Sequence, residues 1–562
     1  MQQPSTRCTI HALAQATAVL AVTLATLTAG AQQGPEHDNP HFRSGNLVVS
    51  RSVYDNNPAN VKVGTILPPG CAGTTPGCSG PEGAPYDGTY PYVFNNGSYD
   101  GSFGITSRIF LDQLTPDGRY IDSLEVPNSL QRGIKSTSDQ LVTSFPSKSE
   151  LALHLSTSHR RLTFLGYVAA ADALDVSNAN TPGVIDPTNP DGQEFYRAVA
   201  DVDRHGHFHF TETNAYSGDN GRAAILNDSD GNRILYTAGN AGGGSSPQPG
   251  GVILGAGAQL IDPIHQREVE QDPGTPTPVA SFNVTELGQK ADKIGKDDNF
   301  RGLTIFNNVL YYTKGSGGNG VNTVYFVDTT GKACPNGVGL PAANAQLPTT
   351  PLTYDPAALQ TTGLPSNMCI LAGFPTALAK KANPPAYSFS LWFANPTTLY
   401  VADEGDGFAG DTTLYAHAAA QTTAGLQKWV FNSTTNTWNL AYTLSSGLQL
   451  GVPYTIPGYP TGTNTATNLP WGPATDGLRN MEGRVNRDGS VTIWAITSTI
   501  SGSGDQGADP NRLVAITDQL ANTDATTAAK EQFSVVRQAG FAEVLRGIAF
   551  APGTGADDDQ DR

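Results

Sequence analysis

Short runs rich in Val, Ile, Phe, Tyr and Thr recur along most of the chain, separated by turn residues, and sustained 3.6-residue periodicity is nearly absent. Runs of this length and composition between turn signals mark β-strands. They fall into groups of four. The first complete group is 151–155, 162–168, 195–202 and 207–211, and the second is 223–226, 234–238, 252–261 and 280–284. The third is 303–306, 309–314, 323–328 and a weaker run near 368–371. The fourth is 389–393, 398–403, 426–431 and 438–444, and the fifth is 482–485, 491–498, 512–517 and 533–537. One strand is left at the C-terminal end, 545–551, and three at the N-terminal end, 46–53, 108–114 and 120–126. One plus three makes a sixth group. Strands from both ends would close a ring and remove its open sheet edges. The pattern therefore predicts an all-β, six-bladed β-propeller over residues 45–552, with a closing blade built from both termini. Seven blades is the alternative, if 331–386 holds further strands.

The turns agree with this phasing. Asn227–Gly231, Asn307-Asn308 and 486–489 fall between first and second strands, and 116–118 and 203–206 between third and fourth. Asn- and Asp-Gly turns accept the positive φ that tight hairpins need. Each blade has roughly 88 residues at its disposal, about twice what four short strands require. The surplus falls between second and third strands and between successive groups. Strand direction alternates, so both kinds of connection emerge on one face, where binding residues are expected.

Composition narrows the class. The chain has 562 residues, a net charge of −17, 38% hydrophobic and 15% charged residues, with 62 Gly and 39 Pro. Charge this sparse does not describe a disordered chain, and Gly shows no collagen period. The acidic balance argues against nucleic acid and anionic membrane as partners. Residues 1–31 read as a secretory signal: Arg7, a mostly apolar stretch over 12–27, and Ala29-Gly30-Ala31 as the cleavage site. No other stretch reaches the ~20 apolar residues of a membrane span. A secreted protein, extracellular or periplasmic, is expected, with flexible segments at 32–44 and at the acidic tail 553–562. Four cysteines remain beyond the signal, Cys71, Cys78, Cys334 and Cys369. Proximity favours the pairs Cys71–Cys78 and Cys334–Cys369, although four cysteines allow three pairings.

Several clusters carry possible chemistry. Glu150, Arg222, Arg301, Ser388, Glu482 and Arg546 stand where the innermost strands begin. In a propeller such positions ring the mouth of the central channel. Arg222, Arg301 and Arg546 would suit a carboxylate or phosphate ligand. Glu150 and Glu482 are the candidate metal-ligand or general-base residues. A ring of salt bridges that only aligns neighbouring blades is the competing explanation. The loop 403–411 packs four carboxylates into nine residues, and Asp403, Glu404 and Asp406 are candidate ligands for Ca²⁺. His205, His207 and His209 alternate on an outer strand, where same-face neighbours are nearly 7 Å apart, too wide for easy joint chelation. The G-x-G-x-x-G matches at 315–320 and 405–410 lead into loop and strand, not the helix that a dinucleotide site requires. No G-x-S-x-G, H-E-x-x-H or P-loop motif occurs.

The segments 398–403 (TLYVAD), 545–552 (LRGIAFAP), 300–303 (FRGL) and 312–317 (YTKGSG) resemble secreted propellers of the gluconolactonase and NHL-repeat kind. The resemblance implies the propeller architecture. It also implies a divalent metal held at the channel mouth by Glu, Asn and Asp side chains, with Glu150 and Asp403 in such parts. The three mouth arginines depart from that pattern. The expectation is a ligand site at the channel mouth, serving a metal-assisted hydrolase or lactonase that acts on a small anionic or carbohydrate-derived substrate. The alternative is a non-catalytic extracellular binding, envelope or matrix protein, and whether the chain is an enzyme is left open.

Overall fold

The computed structural model describes residues 40–65, 86, 88, 105–134, 140–145, 147–174, 176, 179–182, 194–213, 215–229, 231–240, 257–261, 279–281, 299–316, 320–334, 336–349, 368–465, 467–503 and 507–555. The expected signal sequence, the pair Cys71–Cys78 and residues 556–562 of the acidic tail lie outside these residues. Among them, regular structure is almost wholly β, with two short α-helices, Leu414–Ala419 and Ala525–Ala528. Six sheets form the blades of a β-propeller.

Blade I is the closing blade, ordered Glu543–Phe550, Leu47–Val53, Thr106–Leu114 and Tyr120–Glu125. Leu47–Val53 pairs antiparallel with Glu543–Phe550, with Val48 opposite Ala549. This is the one-plus-three arrangement that the leftover strands required. Blade II comprises His154–Leu155, Arg161–Tyr167, Arg197–Asp203 and Phe208–Thr213. Blade III comprises Gly221–Asn227, Ile234–Gly239, Ala258–Ile261 and Val279–Ser281. Blade IV has Leu303–Phe306, Val309–Lys314, Thr323–Val327 and Met368–Leu371, and adds Val338–Gly339 in parallel at its edge. Blade V has Ser388–Asn395, Thr398–Asp403, Gly425–Asn432 and Thr437–Leu444. Blade VI has Ala474–Val485, Ser490–Ile500, Arg512–Gln519 and Ser534–Gln538.

The core is divided among the joints between blades, and the period of two decides which joint each side chain enters. Leu47 and Val49 face Trp494 and Ile496 of blade VI, whereas Val48 faces Leu162 and Phe164 of blade II. Tyr400 and Ala402 likewise pack with Leu478 and Ile493, and Leu399 and Val401 turn the other way, towards blade IV.

Polar groups stitch the same joints. The Ser50 hydroxyl donates to the Leu151 carbonyl at 2.7 Å, Thr163 to Ala224 at 2.6 Å, and Thr313 to Phe389 at 2.6 Å. Ser390 donates to Arg479 O at 2.6 Å, and Asn511 to Leu545 O at 2.8 Å. Each bond reaches from one blade to the innermost strand of the next or, at Leu151, to the chain leading into it. Glycine permits these approaches: a Cβ on Gly302 would lie 2.5 Å from Phe389 O, and one on Gly547 2.3 Å from Leu151 O. The Arg-Gly pairs at 301–302 and 546–547 thus place a long cation beside a residue that must have no side chain.

Residues beside the expected domain bounds also pack. Phe42 is buried, its N–H donates to Arg204 O, and Gly553 N–H donates to His159 O. Cys334 and Cys369 form a disulfide with Cα atoms 5.9 Å apart, as their proximity suggested. It ties the loop after Thr323–Val327 to the strand Met368–Leu371. No helix of the described residues is long and apolar enough to cross a membrane.

Candidate functional site

The innermost strands begin on the face that carries the long connections and run towards the hairpin face. The chain just before and along their first halves brings together a charged cluster centred on Glu404. Glu404 follows the second strand of blade V directly. Its carboxylate faces Arg479 Nε at 3.3 Å, Arg301 Nη2 at 3.7 Å and Lys148 Nζ at 3.7 Å. Arg301, Arg479 and Glu404 are each buried, and Lys148 is 32% exposed, so the cluster meets solvent at Lys148.

The electrostatics follow from one carboxylate serving three cations. Burial alone would raise the Glu404 carboxyl. The combined attraction of Lys148, Arg301 and Arg479 outweighs it and holds the group down at about 2. The Lys148 ammonium is pushed down to about 8, first by desolvation and then by the Arg301 and Arg479 charges, with Glu404 opposing. Lys148 keeps a third of its surface accessible, yet it sits deep among protein groups, and that depth is what penalises its charge. Arg222, buried nearby, is lowered to about 9, first by desolvation and then by the Arg301 charge. Its Nη1 donates to Asn299 Oδ1 and to Phe300 O at 2.8 Å, while its buried Nε finds no acceptor among the described residues. The cluster carries an excess of positive charge.

Carboxylates form a second layer beside it. Asp403 is buried and accepts from Tyr387 N–H at 2.9 Å and Gly405 N–H at 3.0 Å. Asp476 accepts from Gly407 N–H at 2.8 Å and Gln421 Nε2 at 2.5 Å. Both are raised to about 7, chiefly by burial, with neighbouring carboxylates adding to the shift. Asp406 pairs with His417 at 3.1 Å. Buried carboxyls that change protonation near pH 7 mark a place where acid–base candidates are sought.

The sequence-predicted residues separate into distinct places. Arg222 and Arg301 join the cluster. Arg546 does not present its guanidinium to a ligand: Nε donates to Ser52 Oγ at 3.2 Å, and the two Nη atoms donate to the Ser147 and Phe145 carbonyls. It clamps the connection from blade I to blade II. Glu150 is buried and accepts from Thr143 Oγ1 at 2.5 Å, from Ser144 N–H at 3.2 Å and from the Tyr167 hydroxyl. Burial raises its carboxyl despite these donors. Ser388, buried, opens the innermost strand of blade V.

Glu482 is displaced from its expected position. The strand begins at Ala474, so Arg479 takes the upper place and Glu482 lies three residues further along, roughly 10 Å towards the hairpin face. The strand's irregular register around Leu478 and its run Thr475-Asp-Gly-Leu-Arg-Asn read as a turn, which hid this. Arg479, Lys148 and Asp476 were missed for the same reason, each lying in polar, turn-like sequence.

The expected cation ligands do not converge. Among the described residues, one set of three His, Cys, Asp or Glu ligand atoms lies within 4.8 Å of one another, Asp328 with Cys334 and Cys369, and those cysteines are bonded together. Asp403 is held by backbone donors, Glu404 by cations and Asp406 by His417. Glu150 and Asp403 therefore do not reproduce the metal-ligand pair that the lactonase resemblance implies. The three histidines stay on their outer strand and its turn, His209 near Asp201 at 3.5 Å and His207 near Asp203 at 3.2 Å.

No protein-family model and no curated protein matches the chain. Among solved structures it is similar to a polysaccharide lyase of family PL25, an ulvan lyase, at 10% identity over 81% of this chain and 93% of that one, with a TM-score of 0.24. It is similar to NanB, in a structure titled with Optactamide, at 7% identity over 80% of this chain and 64% of that one, with a TM-score of 0.29. The hemagglutinin-neuraminidase ectodomain of parainfluenza virus 5 is similar at 10% identity, over 79% and 75%, with a TM-score of 0.27. Likenesses this distant carry nothing about activity.

Proposed function

We propose that this protein is a secreted propeller that binds a small anionic ligand, a sugar acid or the carboxylate end of a glycan, at the mouth of its channel. One observation carries the reading: three buried or half-buried cations, Lys148, Arg301 and Arg479, share the single carboxylate of Glu404, with Arg222 beside them. An incoming carboxylate or phosphate would balance that charge, and guanidinium groups offer it paired donors.

Calorimetric titration with glucuronate and with inorganic phosphate tests this, with melting temperature measured on the same proteins. Arg301→Ala is expected to weaken anion affinity by about tenfold or more, the scale of a charge-assisted hydrogen bond, with the fold retained. If Arg301→Ala lowers the melting temperature and leaves anion affinity unchanged, the cluster only aligns blades.

A cation-assisted hydrolase of lactones is the second reading. Its observation is the mutual repulsion of Asp403, Glu404, Asp406 and Asp476 beside the mouth. A Ca²⁺ ion among them would relieve it, with a shift of side chains that now bind elsewhere. Added Ca²⁺ should then raise the melting temperature and support lactone hydrolysis that EDTA abolishes. Neither effect is expected if the mouth binds anions alone.

A further inference from the structure

The hairpin-face half of the channel is a second, chemically different space. It forms a cavity of about 1070 Å³ to which all six blades contribute. Among the described residues no Lys or Arg lines it, and the charged-capable residues there are Glu482, His154 and His159. Amide and hydroxyl side chains dominate the polar lining, among them Asn227, Asn307, Thr304 and Gln346. Two aromatic side chains face it, the half-buried Trp392 and the buried Phe550. The indole lies so close to Gly483 that a Cβ there would sit 2.6 Å from Trp392 Cδ2, so the glycine fixes where the ring sits.

Two segments narrow this end. The loop carrying Gln346 and Leu347 is tethered by the Cys334–Cys369 disulfide, and its Pro348 carbonyl accepts from the Tyr236 hydroxyl at 2.8 Å. Opposite, the turn at Thr554 is pinned by Gly45 N–H donating to Thr554 Oγ1 at 2.9 Å and by His159 Nδ1 at 3.0 Å from Thr554 O. The cavity is thus walled by loops as well as by strands.

We infer that this lower cavity binds a neutral, polyhydroxylated ligand, a short oligosaccharide segment, stacked on Trp392 and hydrogen-bonded by the amide and hydroxyl lining. Absence of lining cations disfavours an anion. A volume at the upper end of small-molecule sites suits two or three sugar rings. An amphipathic aromatic face suits the apolar side of a pyranose. Among the described residues His154 Nδ1 is buried without a hydrogen-bond partner, and burial, outweighing the nearby Leu303 and Ala224 carbonyls, lowers the imidazole to about 4, so it is neutral and Nδ1 is available to a hydroxyl. Glu482, raised to about 7 chiefly by burial, is largely protonated at mildly acid pH and then adds no charge. The inference does not rest on the anion site above, since it uses other residues at the other end of the channel.

The test is calorimetric titration of the full protein with maltotriose, cellotriose and xylotriose, using Arg301→Ala, Trp392→Ala and Gln346→Ala. At least one neutral trisaccharide should bind at up to about 20 mM, a weak-affinity limit. Trp392→Ala should weaken it about tenfold or more, in the range of an aromatic anchor. Gln346→Ala, an exposed position, should weaken it measurably, and Arg301→Ala should leave it unchanged. If Trp392→Ala does not fold, Trp392→Phe and Gln346→Ala decide. Overturning results are no binding by any of the three sugars, or binding that survives both the Trp392 and Gln346 substitutions.

Discussion

At Glu404 the local charge balance is lopsided, and removing the carboxylate separates two consequences. Glu404→Gln leaves Arg301, Arg479 and Lys148 buried or half-buried without their anion, which should cost about 3–5 kcal/mol of stability in urea denaturation. The same change removes a competitor for the cations, so anion affinity should rise even as the fold weakens. A cluster that only aligns blades would lose stability and gain no affinity. Arg222 and Arg301 were legible in the sequence because each begins a recognisable strand and Arg301 precedes a glycine. Arg479 was not, because its strand contains Asp476-Gly477 and polar neighbours that normally signal a turn. The apolar pattern fails in strands that face a polar channel, since one of their faces is never hydrophobic. Arg546 was read correctly for place but not for use. A guanidinium satisfied by two carbonyls and a serine cannot be told from a ligand-binding one without its surroundings.

At the scale of strands and blades, the joints concentrate the risk. Gly302→Ala pushes a Cβ against the Phe389 carbonyl, which belongs to backbone that cannot move without shifting blade V. Overpacking of this kind typically costs about 1–3 kcal/mol, and loss of the blade IV–V hydrogen bond from Thr313 would add to it. Trp494, 1% exposed, packs edge-on to Phe550 and donates its indole N–H to Pro116 O at 2.9 Å. Trp494→Ala should cost roughly 3–5 kcal/mol by emptying the joint that closes the ring. Denaturant unfolding monitored by far-ultraviolet circular dichroism checks both. The fourfold grouping of strands, including the split closing blade, was legible because middle strands such as Arg161–Tyr167, Ile234–Gly239, Val309–Lys314 and Thr398–Asp403 bury both faces between neighbouring blades and so stay rich in β-branched and aromatic residues. The short parallel strand Val338–Gly339 was not. Two residues carry no period, and their pairing with Met368–Leu371 depends on the nearby disulfide.

For the whole molecule, buried carboxylates set the pH response. Asp403, Asp476, Glu482 and Glu531 are raised to about 7 and Asp509 to about 6, each mainly by burial. A carboxyl raised in the folded state binds protons more tightly there than in the unfolded chain. Its contribution is present below about pH 4 and is lost as pH climbs through the folded value. His154, lowered to about 4, works the other way between 6.5 and 4, but it is one group against five. Glu404, held at about 2, loses its favourable contribution as pH falls from its ordinary range. The melting temperature should therefore peak near pH 5 and fall towards pH 8. A flat profile, or a maximum at pH 8, would show that water reaches these carboxylates.

The proposed anion site at the mouth would have a proton signature that no merely structural ion-pair cluster shares. Lys148 is lowered to about 8, so roughly half of it is uncharged at pH 8. A bound carboxylate favours its charged form and must draw a proton onto it. Affinity for glucuronate should accordingly weaken as pH rises above 8. The decisive measurement is glucuronate titration at pH 8 in two buffers of different ionisation enthalpy, for the wild-type protein and Lys148→Met. Proton uptake on binding by the wild type, much reduced in Lys148→Met, is the expected result. Binding with no proton uptake, or uptake that persists unchanged in Lys148→Met, would contradict a ligand site built on this cluster.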